Sequence, residues 1–267
     1  MSSPRPRPRP LRQQSLRQEY EEFVLQRIEE YKEQLSRTEL LAIADDAVRE
    51  LEVSAEEQLV LTEVLVLEHV DRLIMRRLRL PTFRRWRERY LELRKSQQDP
   101  EHWDLDPATP LVELAHRLDE SDMVLVVGGG AAPAGFYLAA HDWPALLIDQ
   151  ELRAVEEVEA RAAAEGLRSR IQALVVSMAN WFPDVTPTLT VIEPKAVSEL
   201  DPQVRTRAMD SFKSQTASRG VHFVLPADRR DGVIPFAAEA LQEHYADWWV
   251  QRTRSDHTNW GFLAIKP

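Results

Sequence analysis

No glycine occurs in the first 127 residues of this 267-residue chain, and then four of its eight glycines fall between positions 128 and 135. They follow directly on the apolar run 123–127, in the order Gly-Gly-Gly-Ala-Ala-Pro-Ala-Gly. A buried strand that breaks into a glycine-rich turn and reopens as a helix lets backbone approach a ligand closely. It also aims the helix N-terminus at that ligand. Asp149 ends the next apolar run, 145–148, and lies 21 residues beyond Gly128. That is the distance at which a nucleotide-binding α/β unit places an acid for ribose hydroxyls. The spacing therefore predicts strand, turn, helix and strand in a parallel sheet, and it marks the first place to look for function.

The residues around this unit extend the same pattern. Thr109-Pro110 is a helix start, an N-cap followed by proline at the first helical position. Apolar runs predict strands over 123–127, 145–149, 171–176, 188–193 and 221–225, and amphipathic or alanine-rich stretches predict helices over 133–141, 151–165, 202–218 and 235–247. At the end, 248–254 and 259–265 are strand-like runs joined by the polar loop 255–258, which predicts an antiparallel hairpin. The expected fold is α/β: a doubly wound, mostly parallel sheet with an antiparallel C-terminal hairpin.

Before residue 106 the chain reads differently. Residues 1–16 alternate proline and arginine and are expected to form a disordered, polyproline-like arm. Residues 19–98 read as an all-helical domain. Tyr20, Val24, Ile28, Tyr31 and Leu35 recur at helical spacing, and Ser36 with Glu39 forms a capping box before a helix reaching about Leu51. Ser54 with Glu57 reads as a second box, opening a helix over 55–79 with the stripe Val60, Val64, Leu67, Val70, Ile74 and Leu78. Valine enrichment over 59–67 favours a strand; the cap and the missing turn signals decide for helix. Leu80-Pro81 ends it, and Thr82 caps a further helix from Phe83 to about Gln97. Residues 97–106 are the expected linker, so the domains are 1–16, 19–98 and 106–267.

Charge and composition bound the partners. The net charge of −10 is uneven: residues 1–18 carry +5 and residues 71–95 carry +7, which leaves −22 on the rest. An acidic body disfavours indiscriminate nucleic-acid binding, while the basic segments can hold anions locally. With zero cysteines the chain has no disulfide and no thiolate metal ligand, and its seven histidines show no metal-ligand spacing. No apolar run reaches membrane-spanning length, and 2–10 lacks the apolar core of a secretory signal, so a cytoplasmic location is the simplest expectation.

Four ordered stretches resemble the class I S-adenosylmethionine-dependent methyltransferases. They are Val-Leu-Val-Val-Gly-Gly-Gly at 124–130, Leu-Ile-Asp at 147–149, the helix and turn at 152–171, and Asn-Trp-Gly-Phe-Leu-Ala-Ile-Lys-Pro at 259–267. The resemblance implies a seven-stranded sheet with a reversed last strand and S-adenosylmethionine as cofactor. It implies that Gly128, Gly129, Gly130, Asp149, Gln150, Ser177 and Met178 hold that cofactor. Glu193 ends the fourth predicted strand, at the carboxyl edge where such sheets place chemistry, and is the candidate catalytic residue, as a substrate-orienting acid or general base. Elementary chemistry points the same way. Backbone N–H groups at Gly129–Ala131 can cradle an anion, Asp149 can accept two hydroxyl hydrogen bonds, and Met178 offers a soft contact for a base. The family carries an acid where Val126 stands, and an acid or amide where Ser177 stands. Glu193-Pro194-Lys195 lacks the second proline and the aromatic of amino-methylating relatives.

Several readings stay open. The methyl acceptor is unidentified, and a homodimer or a protein partner through the helical domain is compatible with the sequence. A degenerate methyltransferase fold serving as a scaffold is the alternative that Val126 and Ser177 motivate. A nicotinamide or flavin binder fits less well, because Pro133 stands where a Gly-x-Gly-x-x-Gly count requires its third glycine. The basic stretch 76–95 could grip phosphates while Phe83, Trp86 and Tyr90 stack on bases, yet their spacing favours a helix core. Trp181, Trp248, Trp249 and Trp260 could wall a pocket or pack the terminal hairpin.

Overall fold

The computed structural model describes residues 15–54, 63–117, 122–226, 238–254 and 260–267. Contacts divide the chain into two compact units, Gln14–Leu93 and Arg94–Pro267.

The first unit is built from α1 Leu16–Gln34, α2 Arg37–Ser54, α3 Glu63–Arg77 and α4 Phe83–Gln97, the last turn of α4 counting with the second unit. Helix α1 opens earlier than its apolar stripe suggests. Ser15 Oγ accepts the Gln18 N–H at 3.2 Å and the Gln18 side chain accepts the Ser15 N–H at 2.9 Å, a capping box. Ser15 and Leu16 thus belong to a helix rather than to the arm, whose residues 1–14 lie outside those described. The box at Ser36 and Glu39 forms as expected, with Ser36 N–H donating to Glu39 Oε2 at 2.8 Å. Helix α2 runs on through Ser54, so Ser54 ends a helix; the expected start at 55 lies outside the described residues.

The core of this unit contains Tyr20, Val24, Ile28, Ile43, Val70 and Ile74, with Trp86 and Tyr90 stacked 4.8 Å apart. The stripe on α3 is only half buried. Val64 and Leu67 are exposed, while Val70, Leu73 and Ile74 face the core. Val53, at the adjoining end of α2, is 90% exposed. The unit's core lies toward the other ends of both helices, at Ile43 and Ile74, and leaves this end in solvent.

The second unit holds α5 Pro110–Ala115, β1 Val124–Val127, α6 Ala132–Ala140, β2 Ala145–Asp149, α7 Leu152–Ala164, β3 Ile171–Val175 and β4 Leu189–Ile192. It continues with α8 Pro194–Ser198, α9 Pro202–Gln215, β5 Val221–Val224, α10 Ala238–His244, β6 Trp249–Arg254 and β7 Trp260–Ile265. One seven-stranded sheet runs β3-β2-β1-β4-β5-β7-β6. Strands β1 to β5 are parallel, and β7 is antiparallel to both β5 and β6. Parallel strands buried on both faces need near-continuous apolar runs, and β1 and β4 are buried at every residue. The strand order reverses between β1 and β4, which opens a crevice beyond their carboxyl ends. Helix α6 packs tightly over β1 because Gly135 has no side chain: a Cβ there would lie 3.1 Å from Val126 Cγ2.

Residues 97–106 are not a linker. Asp99 caps a 3-10 turn, Pro100–Trp103, by accepting the Glu101 N–H at 3.0 Å. Trp103 is fully buried, donates from Nε1 to the Gln97 carbonyl at 2.7 Å and stacks on Phe136 at 5.2 Å. The polar composition that suggested a linker hides one large apolar anchor. Among the described residues no helix is long and apolar enough to cross a membrane.

Candidate functional site at the carboxyl edge of the sheet

The backbone of the glycine turn builds the site. Gly128 adopts φ +95°, a region that L-residues with a Cβ rarely enter. That turn sends Gly129–Ala131 into a single 3-10 turn ahead of α6. Its N–H groups are already engaged, contrary to the expectation of free donors awaiting a ligand anion. Gly129 N–H donates to Asp149 Oδ2 at 2.6 Å, Gly130 N–H to Glu193 Oε2 at 2.8 Å, and Ala131 N–H to the Gly128 carbonyl at 3.1 Å. The chain's own carboxylates take the positive end of the turn, so a ligand phosphate or carboxylate finds no open donor there.

Asp149 stands at the last position of β2 and bridges two segments, because its Oδ1 also accepts the Glu151 N–H ahead of α7 at 2.8 Å. It therefore caps the α7 entrance and buttresses the turn at once. Each oxygen keeps lone-pair capacity for a further donor. Glu193 follows β4, and its carboxylate lies across the turn. A Cβ on Gly130 would come within 2.5 Å of Glu193 Oε1, and one on Gly128 would meet Ala196 Cβ at 2.7 Å. Burial pushes the Glu193 carboxyl pKa up, the Gly130 N–H opposes this, and the neighbouring Asp149 charge adds to the rise.

These groups open onto a cavity of about 580 Å³. Gly129, Gly130, Asp149, Gln150, Met178 and Glu193 line it together. Gly128 shapes the turn from beneath rather than lining the wall. Ser177 is exposed, accepts from Asn180 Nδ2 at 3.0 Å and also lies outside the wall. Met178 is 2% exposed, so it is at once a core residue and a wall. Val126 is fully buried between Leu147 and Val191 of the neighbouring strands, which makes it a core position here.

The wall also includes Glu151, Glu157, Glu199, Arg161 and Lys195, which the sequence reading did not single out. Glu151 sits two residues beyond Asp149, and Lys195 and Glu199 follow Glu193 on and after α8, so closeness to the two strand ends was the available signal. Arg161 was not findable that way. It reaches the wall from α7, with its guanidinium 5.2 Å from the Trp103 ring centroid and 5.3 Å from that of Phe136.

The other candidates lie elsewhere. Trp86 and Tyr90 are buried in the helical unit and cannot stack on bases. Three arginines of the basic stretch are tied to acids: Arg76 to Glu50, Arg77 to Asp46 and Arg84 to Glu88, at 2.6, 2.9 and 3.2 Å. Trp248 is buried in the α/β core, Trp181 packs against that core and Trp249 is exposed; none of the three lines the cavity, and the Trp260 side chain is outside the described set.

No protein-family model matches the chain, and no curated protein matches it in sequence. Solved structures do resemble its fold. The glycopeptide N-methyltransferase MtfA complexed with S-adenosylhomocysteine is 14% identical over 61% of this chain and 88% of its own, at a TM-score of 0.49. The N-methyltransferase NodS from Bradyrhizobium japonicum WM9, also complexed with S-adenosylhomocysteine, is 19% identical over 67% of this chain and 98% of its own, at 0.46. TehB from Haemophilus influenzae is 17% identical over 59% of this chain and 61% of its own, at 0.43. The strand arrangement itself carries the assignment: with seven strands, five of them parallel, and a reversed last strand, the α/β unit has the class I methyltransferase fold.

Proposed function

We propose that the α/β unit binds S-adenosylmethionine and transfers its methyl group to an acceptor entering beside Glu193. The observation that carries this reading is the placement of Asp149. Its carboxylate ends β2, is locked to the Gly129 and Glu151 N–H groups, and faces the cavity at the switch point of the sheet. A fixed carboxylate with spare lone pairs suits a pair of ribose hydroxyls. Gln150 and Met178 line the same cavity, Met178 offering a polarizable surface for the base. Ser177, being outside the wall, is left with no direct part in this reading.

The bound cofactor supplies a sulfonium-borne methyl group, and alignment of an already competent nucleophile is most of what such a transfer requires. Glu193 keeps acceptor capacity beyond its Gly130 hydrogen bond, and its raised pKa suits a group that orients an acceptor and takes up a proton. The engaged turn N–H groups disfavour a dinucleotide, whose pyrophosphate needs those donors open. A catalytically silent scaffold remains the competing reading, favoured by the buried Val126 and the outward Ser177. The proposal includes a cytoplasmic setting, an acceptor of unassigned class, and a helical unit that engages any dimer or protein partner.

Thermal unfolding with added nucleosides tests the proposal. A ligand at a hundred times its Kd stabilises by about 2.7 kcal/mol. S-adenosylhomocysteine should therefore raise the midpoint by several degrees, and NAD should leave it unmoved. A rise with NAD alone would overturn the assignment, and no rise with either would favour the scaffold.

A further inference from the structure

The acids at the glycine turn bear on ligands that differ only in charge. Asp149 and Glu193 approach the turn from β2 and from the end of β4, and each is held by a turn N–H, at 2.6 and 2.8 Å. Both are thus in position before any ligand arrives. The cavity wall carries five carboxylates against two cations, Lys195 and Arg161. Of the five, Glu157 has its own partner, donating Arg153 Nε at 2.9 Å. Arg161 is engaged over the Trp103 and Phe136 rings. Lys195 acts on Glu193 through space without forming an ion pair. The turn is therefore a fixed concentration of negative charge, part-buried, where the protein supplies little of the opposite sign.

We infer that this site selects its nucleoside by positive charge, with Asp149 and Glu193 as the specificity-determining pair: it holds the sulfonium S-adenosylmethionine more tightly than the thioether S-adenosylhomocysteine. The inference rests on the proposed function and deepens it. The two ligands share nucleoside, ammonium and carboxylate and differ by one methyl group and one positive charge, so the ratio of their affinities isolates the charge effect. Fixed acids that are part-buried, as Asp149 and Glu193 are, act on a nearby cation more strongly than they would in bulk water. The pair also sets the polarity of exchange, since the product is the ligand for which the site is less suited.

The test is calorimetric titration of the full chain with both nucleosides at near-neutral pH. The native protein should bind S-adenosylmethionine about tenfold or more tighter, the ratio that 1.4 kcal/mol represents. Glu193→Gln keeps the shape and an oxygen for the Gly130 N–H, and it should narrow that ratio mainly by weakening the sulfonium ligand. Lys195→Ala removes the opposing cation and should widen it. Equal or tighter binding of the thioether by the native chain overturns charge selection while leaving nucleoside binding intact. So does a ratio unmoved by Glu193→Gln, or one narrowed by Lys195→Ala. Failure of the native chain to bind either nucleoside overturns the proposed function together with this inference.

Discussion

Gly128 holds the turn in a conformation that a Cβ makes costly, at φ +95°, with Ala196 Cβ directly in the way. Gly128→Ala should lose at least about 1–2 kcal/mol from backbone strain alone, read as a lowered midpoint in urea. Glu193 should behave in the opposite sense. Burial and the Asp149 charge disfavour its ionised form in the folded chain, so folding holds a proton that the unfolded chain releases more readily. Glu193→Gln is therefore expected to raise the unfolding midpoint at neutral pH, a signature of a residue kept for function at the expense of stability. The groups facing Glu193 are Asp149 from β2 and Lys195 and Glu199 from and beyond α8. As pH falls through its raised pKa, affinity for the sulfonium ligand should decline before that of an ordinary carboxylate site. An affinity flat through that range in calorimetry would detach Glu193 from ligand charge. None of this was legible in the sequence beyond the identities of Gly128 and Glu193. The Gly130–Glu193 hydrogen bond joins residues 63 apart, and only the β1–β4 pairing brings them together.

At the scale of elements, most strands and helices were readable because the strands buried on both faces are near-continuous apolar runs, broken only by Thr190 in β4 and His222 in β5 among those buried at every residue. Residues 145–149 form β2 as expected, and the terminal hairpin forms with β7 rather than β6 against β5. Local composition misled where a single side chain decides. Residues 97–106 look like a linker, yet Trp103 fixes them to the α/β core. Trp103→Ala should cost about 3–5 kcal/mol, measured by chemical unfolding, and a cost near zero would restore the linker reading. His222 on β5, a strand the sequence does predict, is another single side chain on which packing depends. Its Nε2 and Nδ1 lie 2.7 Å from Thr216 Oγ1 and 2.6 Å from the Tyr245 hydroxyl, joining α9, β5 and the end of α10. Thr216 Oγ1 also donates to the Phe212 carbonyl at 2.6 Å, so a neutral ring that donates from Nε2 and accepts at Nδ1 satisfies all three groups. Burial, followed by the charges of Lys213 and Lys266, pushes the His222 pKa down to about 3 from 6.5. The unfolded chain protonates this residue below pH 6.5 and the folded chain does not. Its contribution is therefore complete above that value and lost progressively as pH falls toward about 3. His222→Phe should be less stable at neutral pH but lose less between neutral and mildly acidic pH, as read from unfolding midpoints.

For the whole molecule, the change at residue 106 from helical stripes to alternating strands and helices is what suggested a helical first part and an α/β second part, whereas contacts divide the chain between Leu93 and Arg94. That change was not sufficient to show which helical surfaces are buried. Val64 and Leu67 belong to an apolar stripe that continues past the core, and periodicity alone does not reveal where a packing partner stops. The reverse holds at the site, where one short window, 128–149, located the turn and its acid, while the acidic character of the cavity emerged only when the stretch from Asp149 to Glu157 met the one from Glu193 to Glu199. The claim on which the whole reading depends is that Asp149, fixed by the turn, holds a nucleoside. Calorimetric titration of S-adenosylmethionine into the native chain and Asp149→Ala tests it most directly. Hydrogen bonds to a charged group are worth about 1.5–3 kcal/mol, so saturable binding should weaken roughly tenfold to a hundredfold in the variant. Equal affinity in the two well-folded proteins would contradict the account.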